Sequence, residues 1–501
     1  MTRLKVVLID PITTDLMFTP LLGLGFIANS LEQAGYKVSI INANAIYGEY
    51  TINKLYSEVK EIGPDIIGFS FCTESIPFIY QQIRAVKDLA KITIAGGQHT
   101  TAVPEEVLNN GADIVLFGEG EETVVDFIKT WESGGNWEEV KGIGLKRNNE
   151  VIINSSRPLI HDLDRLKVAR HLVKYENFAR NGGQRLFENI LTSRGCPAKC
   201  TFCSSSSTMG KKTVRFRSAE NVVDEILELT ETLNFGYIRI VDDTFTWDKE
   251  RTQKICNMLL ESSRNKIRWS CSTRVNKVDQ DLLLLMKEAG CFRITFGLES
   301  IIPDTLKKIK KGISVERAVK AARDTVRAGM DAKLNTIQGW PWERPEDVDK
   351  TVQFVEEIAK EGIIFNTRAM VIPYPRTELY NEYNRQYGFT NWWLKEKIDI
   401  KANPNYVKPF FLSGLIGTFY DDPVLENDFF KYSYVMKKKY KKLMNCKAES
   451  FKVNKGNFVW NALLNNLYFL SKFLHWLNPL LERIIFKILK EIATSMKISR
   501  I

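Results

Sequence analysis

The first 130 residues repeat one unit, a short apolar run followed by a stretch with helical periodicity. The apolar runs are LKVVLID (4–10), KVSIINA (37–43), DIIGFSF (65–71), ITIAGG (92–97) and ADIVLFGEG (112–120), with helical patterns over 20–35, 51–61, 76–89 and 121–133. Strands of about 5–7 apolar residues separated by helices predict a parallel sheet with crossover helices. Right-handed crossovers make this a Rossmann-like doubly wound domain, which binds ligands beyond the carboxyl ends of its strands. Four of those ends carry small or polar residues: Asp10-Pro11, Ser70 with Thr73, Gly96-Gly97, and Gly118-Glu119-Gly120-Glu121. Glycines there either let backbone approach a ligand closely or only make tight turns. No GxGxxG follows the first strand, which disfavours a dinucleotide site.

Residues 134–185 read as a connector holding a hairpin at 145–154, with Asn148-Asn149 at its turn. Beyond it, SRGCPAKCTFCS sets Cys196, Cys200 and Cys203 in a C-x3-C-x2-C pattern straight after the strand-like FENILTS (187–193). Thiolates are soft ligands suited to zinc or iron–sulfur clusters. A closed zinc site wants four ligands, and no fourth Cys or His lies near, the next cysteine being Cys256 in a helical pattern. A 4Fe–4S cluster on three thiolates leaves one iron open for a non-protein ligand, as a catalytic cluster requires.

Five more strand-like runs follow: 235–243, 267–273, 291–299, 331–339 and 366–373. Helical patterns at 219–233, 248–263, 279–288, 314–328 and 346–361 separate them. With the strand before Cys196 this makes six βα units, an incomplete barrel. Polar residues stand at its strand ends, where barrels place functional groups: Asp242 and Asp243, Ser272 and Arg274, Glu299 and Ser300, and Gln338.

Cys196-x3-Cys200-Thr201-Phe202-Cys203 resembles the cluster loop of radical S-adenosylmethionine enzymes. The N-terminal domain resembles the cobalamin-binding domain that precedes the barrel in one large subgroup. Matching segments are Pro20-Leu21-Leu22-Gly23-Leu24, Gly96-Gly97-Gln98-His99, Gly118-Glu119-Gly120-Glu121-Glu122-Thr123, Val241-Asp242-Asp243-Thr244-Phe245, Gly297-Leu298-Glu299-Ser300 and Gly339-Trp340-Pro341-Trp342-Glu343. Together they cover about residues 1–400. Trp342 stands where the family more commonly has a small residue.

The resemblance implies a Rossmann-like cobalamin domain over 1–135, a connector over 136–185 and a partial (βα)6 radical barrel over 186–400. A helical, basic region would follow over 401–501. It implies a 4Fe–4S cluster on Cys196, Cys200 and Cys203 that cleaves S-adenosylmethionine to a 5′-deoxyadenosyl radical. The expected outcome is cobalamin-dependent methylation of an unactivated carbon; the alternative is a radical oxidoreductase or cyclase without methyl transfer. Contacts to S-adenosylmethionine fall to Arg274 for the carboxylate, Glu299 for ribose or ammonium, Asp243 for the ammonium, Phe202 with the backbone near Val371 for adenine, and Gln338. The alternative for the charged groups is an ion pair capping the barrel rim, and Asp242 competes with Asp243. Cobalamin contacts fall to Asp10, Ser70, Gly96, Gly97, His99, Gly118 and Glu119. The D-x-H-x-x-G ligand loop of classical cobalamin domains is absent, since Asp10-Pro11-Ile12-Thr13-Thr14-Asp15 has no histidine. His99 is either a ligand contact or a turn histidine bonded to backbone.

Hydrophobic residues at 44% and charged residues at 26% exclude a disordered, collagen-like or polytopic membrane chain. Eight cysteines in 501 residues are too sparse for a disulfide scaffold, and four histidines too few for a His-rich metal site. No signal peptide precedes the first strand, so the expected compartment is the cytoplasm. The net charge of +10 belongs to the tail: from Lys431 onward thirteen Lys and two Arg face three Glu. Residues 456–492, rich in Leu, Ile, Phe and Trp behind a dense lysine run, fit either an interfacial helix at the inner face of a membrane or helices packed on the barrel. A small-molecule, lipid or isoprenoid substrate and an electron donor such as flavodoxin or ferredoxin are the expected partners. Nucleic acid is disfavoured, because methylthiotransferases place three further cysteines in the N-terminal domain, where this chain has only Cys72.

Overall fold

A computed structural model describes residues 4–12, 22–43, 51–73, 76–173, 180–181, 184–185, 187–205, 213–233, 235–262, 267–394 and 429–444. The expectations for 13–21 and for the apolar tail at 456–492 lie outside these residues.

Seven strands form the first sheet: β1 (Lys5–Asp10), β2 (Lys37–Asn42), β3 (Ile66–Ser70), β4 (Ile92–Gly96), β5 (Ile114–Leu116), β6 (Ile143–Arg147) and β7 (Glu150–Ile153). Their order is β2-β1-β3-β4-β5-β6-β7, parallel through β5. The order reverses between β1 and β3, the switch point of a doubly wound sheet. The crossover helices are α1 (Leu22–Gln33), α2 (Ile52–Ile62), α3 (Ile76–Val86), the short α4 (Gln98–Ala102) and α5 (Pro104–Asn109), and α6 (Gly120–Glu132). Their ends follow local chemistry. Thr51 caps α2 by accepting from the Lys54 amide, and Gly63, at φ +57°, ends it by donating to Val59 O.

The hairpin read as part of the connector belongs to this sheet. β6 pairs antiparallel with β5, and β7 with β6. Asn148 and Asn149 both have positive φ, 48° and 67°, as a two-residue hairpin turn requires. A three-residue β5 would otherwise leave an open edge, and the hairpin covers it. The rest of the connector is also packed: Ile160, Leu163 and Leu166 bury against Phe26 of α1, with Leu191 beside them.

The second sheet has six parallel strands in sequence order: β8 (Glu188–Ile190), β9 (Ile238–Ile240), β10 (Trp269–Thr273), β11 (Cys291–Glu299), β12 (Asp331–Gln338) and β13 (Ile364–Met370). Helices α7 (Ala219–Leu227), α8 (Lys249–Ser262), α9 (Gln280–Glu288), α10 (Pro303–Lys308), α11 (Val315–Arg327) and α12 (Pro345–Ile358) lie between them, making a partial barrel. After β13 come α13 (Glu378–Tyr387) and α14 (Tyr434–Met444). The two sheets are not separate globules. One apolar core joins Val7, Ile9, Phe69, Phe71 and Tyr80 of the first layer to Trp340, Val371, Trp392, Trp393, Phe429 and Phe430 of the second. Among the described residues no helix is long and apolar enough to cross a membrane.

Candidate active site

The first half of the site lies between the first sheet and its helices. Val6 and Leu8 of β1, Ile66 and Gly68 of β3, Ile94 of β4 and Leu116 face Gly23, Leu24 and Ile27 of α1 and Val124 of α6 across a cavity of about 180 Å³. Gly68 keeps its floor open, because a Cβ there would stand 2.8 Å from Leu8 Cδ2. At the carboxyl end of the strands the cavity meets Ser70, Gly96, Gly97, Gly118 and Glu119. Gly97 has φ +102°, and a Cβ on it would lie 2.5 Å from Phe71 O, so no side chain fits there. Gly118 has φ +80° and its amide donates to Thr101 Oγ1 at 3.1 Å. An apolar slot opening at a switch point, rimmed by bare backbone, suits a large ligand with an apolar portion, and cobalamin fits that description.

Two expected cobalamin contacts are not on this cavity. Asp10 is buried at the end of β1 but outside the lining, and burial pushes its carboxyl up to about 8. His99 is fully buried in α4, with Nδ1 3.2 Å from Thr73 Oγ1 and Nε2 3.3 Å from Glu106 Oε1 and 3.5 Å from Tyr80 Oη. Trp393 donates to the same Glu106 carboxylate at 2.8 Å and its ring meets the imidazole edge-on. Side chains from two layers surround the His99 ring. Glu119 does line the cavity, but its carboxylate is engaged. Arg215 donates to both its oxygens at 2.8 Å, Arg194 to Oε1 at 3.0 Å and the Ile160 amide to Oε2 at 2.7 Å. Burial works against the charge, and these donors outweigh it, holding the Glu119 carboxyl below its ordinary range.

Arg194 leads into the second half. The main chain passes from β8 through Thr192 and Ser193, whose hydroxyls both donate to Asp242 Oδ2 at 2.6 Å while the Thr192 amide donates to Oδ1. A two-residue ladder pairs Ser193–Arg194 with Arg215–Phe216. Gly195 follows at φ +98°, where a Cβ would strike Thr213 O at 2.5 Å, and then the cysteine loop begins. The loop is held at its centre: the Thr201 amide donates to Ile309 O and Thr201 O accepts from the Leu379 amide. Cys200 is buried, and Cys196 and Cys203 are half-buried. Among the described residues no three Cys, His, Asp or Glu side chains already converge as a metal site, so the thiols share a loop without being gathered. Their number, softness and placement at the carboxyl end of β8 fit an iron–sulfur cluster.

The expected S-adenosylmethionine contacts divide into groups. Arg274 sits beside the loop, its Nη1 donating to Cys200 Sγ at 3.9 Å and its Nη2 to Lys311 O. Glu299, at the end of β11, is a non-glycine residue at φ +68°, which costs on the order of 1–3 kcal/mol and is kept where the surroundings enforce it. Its buried Oε1 accepts from Lys311 Nζ at 2.7 Å. Asp243 is exposed at the rim and accepts from Ser205 Oγ at 3.1 Å, whereas Asp242 is the buried anchor described above. Phe202 packs edge-on against Trp340, ring centres 5.5 Å apart. Gln338 is buried and turned to its neighbours, and its amide, oriented to satisfy both ends, accepts from Thr336 Oγ1 and donates to Thr367 O and Ala369 O of β13. The residues missed by sequence reasoning are Gly68, Arg194, Arg215 and Lys311. Only the paired carboxylates of Gly118-Glu119-Gly120-Glu121 hinted that cations had to be near.

Residues 12–128 match the B12 binding domain model and residues 190–355 the radical SAM superfamily model. An uncharacterized methyltransferase of Pyrococcus horikoshii, PH0819, is 30% identical over 76% of this chain and 82% of its own length. The hopanoid C-3 methylase of Methylococcus capsulatus is 26% identical over 76% of this chain and 73% of its own. The radical S-adenosylmethionine methyltransferase TsrM from Kitasatospora setae, solved with cobalamin and a [4Fe-4S] cluster, has the same fold, with a TM-score of 0.63 and 16% identity over 77% of this chain and 76% of that one. The chain belongs to the radical S-adenosylmethionine enzymes that carry an N-terminal B12-binding domain.

Proposed function

We propose that this chain methylates an unactivated carbon of a lipid or isoprenoid substrate, with a 4Fe–4S cluster, S-adenosylmethionine and cobalamin as cofactors. The observation that carries the reading is a junction: the cavity of the first layer is lined by Arg194, two residues before Cys196. Bound, the cofactors supply reductive cleavage of S-adenosylmethionine and a transferable methyl group. The chain's own residues bind and orient. Cys196, Cys200 and Cys203 would hold the cluster, and a set of only three protein ligands would leave it free to take the amino and carboxylate groups of S-adenosylmethionine. Arg274, fixed by Lys311 O beside Cys200, pairs with that carboxylate. Glu299 accepts from ribose or ammonium, with Lys311 holding its carboxylate in place. Asp243 is the exposed acceptor at the rim, and Phe202, backed by Trp340, offers a ring edge to adenine. Gly68, Ser70, Gly96, Gly97 and Gly118 shape the cobalamin slot. Asp10 and His99 support that layer from outside the slot.

The hopanoid methylase among the relatives supports an isoprenoid-like substrate, and the basic tail supports contact with an anionic membrane face. A small acidic electron carrier such as flavodoxin or ferredoxin completes the system. The test is anaerobic reconstitution with iron, sulfide and hydroxocobalamin, followed by S-adenosylmethionine and a strong reductant. Retained cobalamin together with 5′-deoxyadenosine and S-adenosylhomocysteine supports methyl transfer. 5′-Deoxyadenosine alone, from protein that retains no cobalamin, refutes it in favour of a radical oxidoreductase or cyclase.

A further inference from the structure

Arg194 is not explained by the roles given above. Its guanidinium is buried, with Nη1 3.0 Å from Glu119 Oε1 and Nη2 2.5 Å from Glu121 Oε1, and it stands 5.1 Å over the ring of Phe26. Phe26 belongs to α1, Glu121 to α6 and Glu119 immediately precedes α6, so one side chain touches both helices that wall the cavity while itself lining it. An apolar cluster of the same volume would serve packing as well, because a buried ion network repays its desolvation poorly. Such a network does impose register: Arg offers a planar fork that fixes two carboxylates at once, and Lys does not.

The other end of the residue is equally constrained. The Asp242 carboxylate clamps Thr192 and Ser193, the ladder to Arg215–Phe216 holds Ser193 and Arg194, and Gly195 fits against Thr213 O only because it lacks a side chain. Arg215 closes the circuit by taking Glu119 bidentately. Residues 192–195 are thus held on both sides, between the helices of the cavity and Cys196.

We propose that Arg194 is a positioning residue that transmits filling of the cobalamin cavity to the cluster loop. The inference rests on the reading of the cavity and the loop given under Proposed function. Filling the cavity fixes α1 and α6; the guanidinium they hold then fixes the loop entry, so that the cluster cysteines reach their working geometry only when the neighbouring layer is loaded.

The test is backbone hydrogen exchange on full-length protein reconstituted with iron and sulfide, with and without hydroxocobalamin, read by peptide mass spectrometry. In the wild type, peptides of α1 and α6 are expected to slow on cobalamin binding, and the peptide spanning 193–203 to slow with them. In Arg194→Lys the helices still respond and the loop response is lost. Glu121→Gln, which weakens one arm and leaves Glu119 paired, gives a reduced loop response and carries the test if Arg194→Lys does not fold. A loop response equal to wild type in Arg194→Lys, or in Glu121→Gln if that variant alone folds, overturns the proposal. So does a wild type that retains cobalamin and iron but shows no loop response. A wild type that retains no cobalamin overturns the underlying reading, and the inference with it.

Discussion

Gly68→Ala tests the cavity directly. The added Cβ would sit 2.8 Å from Leu8 Cδ2, against an optimal carbon–carbon separation of about 3.5–4.0 Å, so Leu8 has to move by roughly an ångström. The space available to it is the 180 Å³ cavity that both residues line. Without ligand the move is cheap. An off-rotamer Leu8 costs about 0.5–1.5 kcal/mol, and replacing glycine in a strand returns about 0.4–1 kcal/mol through the unfolded chain. With the cavity filled the methyl has nowhere to go, and the overpacking cost of about 1–3 kcal/mol falls on binding. At about 1.4 kcal/mol per decade the variant should bind cobalamin roughly fivefold to a hundredfold more weakly. The assay is an anaerobic absorbance titration with hydroxocobalamin, alongside the iron content and thermal midpoint of the same preparation. Wild-type affinity at an unchanged midpoint would refute the placement of the ligand; equal loss of iron and cobalamin would mean that the substitution damages the fold.

Asp10 should make stability fall with rising pH. Its carboxyl is 3.8 ordinarily and about 8 in the fold, so below pH 4 both states are protonated, and between about 4 and 8 only the unfolded chain loses the proton. Asp10→Asn should therefore gain stability relative to wild type across that window, on the order of 4 kcal/mol at pH 7 from about 1.4 kcal/mol per unit, and thermal midpoints measured from pH 5 to 8 should diverge; parallel curves would exclude the titration. Lys311→Met leaves Glu299 buried and unpaired and should cost about 3–5 kcal/mol, most of it recovered in the Lys311→Met, Glu299→Gln double variant, as a thermal double-mutant cycle will show. Cys203→Ala should abolish the iron–sulfur absorbance and lower the bound iron while the protein still retains cobalamin, its affinity lowered only by the coupling proposed above. Complete loss of cobalamin at an unchanged thermal midpoint would contradict a cobalamin cavity built by the first layer.

What was legible in the sequence was whatever depends on neighbours along the chain. Strands buried on both faces are continuous apolar runs, which is why β1, β3, β4 and β5 stood out, and Asn148-Asn149 announced its own turn. The cysteine loop and the strand-end glycines were legible for the same reason. What escaped was chemistry fixed by distant partners. Glu119 looked like a ligand contact because Arg194 and Arg215, 75 and 96 residues away, are invisible from position 119. Gln338 stood at a strand end like a ligand residue, yet its amide is spent on β13. Asp242 and Asp243 were indistinguishable until the pleat turned one inward to Thr192 and Ser193 and the other out to Ser205. His99 is held by Thr73, Tyr80, Glu106 and Trp393, a set drawn from four separate stretches of chain.

The core that runs from Phe71 and Tyr80 to Trp393 and Phe430 has a temporal consequence. Enzymes that must present one cofactor to several chemistries can carry it on a domain that travels between stations. Here travel would tear aromatic side chains out of a common interior, at a cost far above that of parting two polar faces. The diffusible molecules must then come to the cofactor, arriving and leaving in sequence at one place.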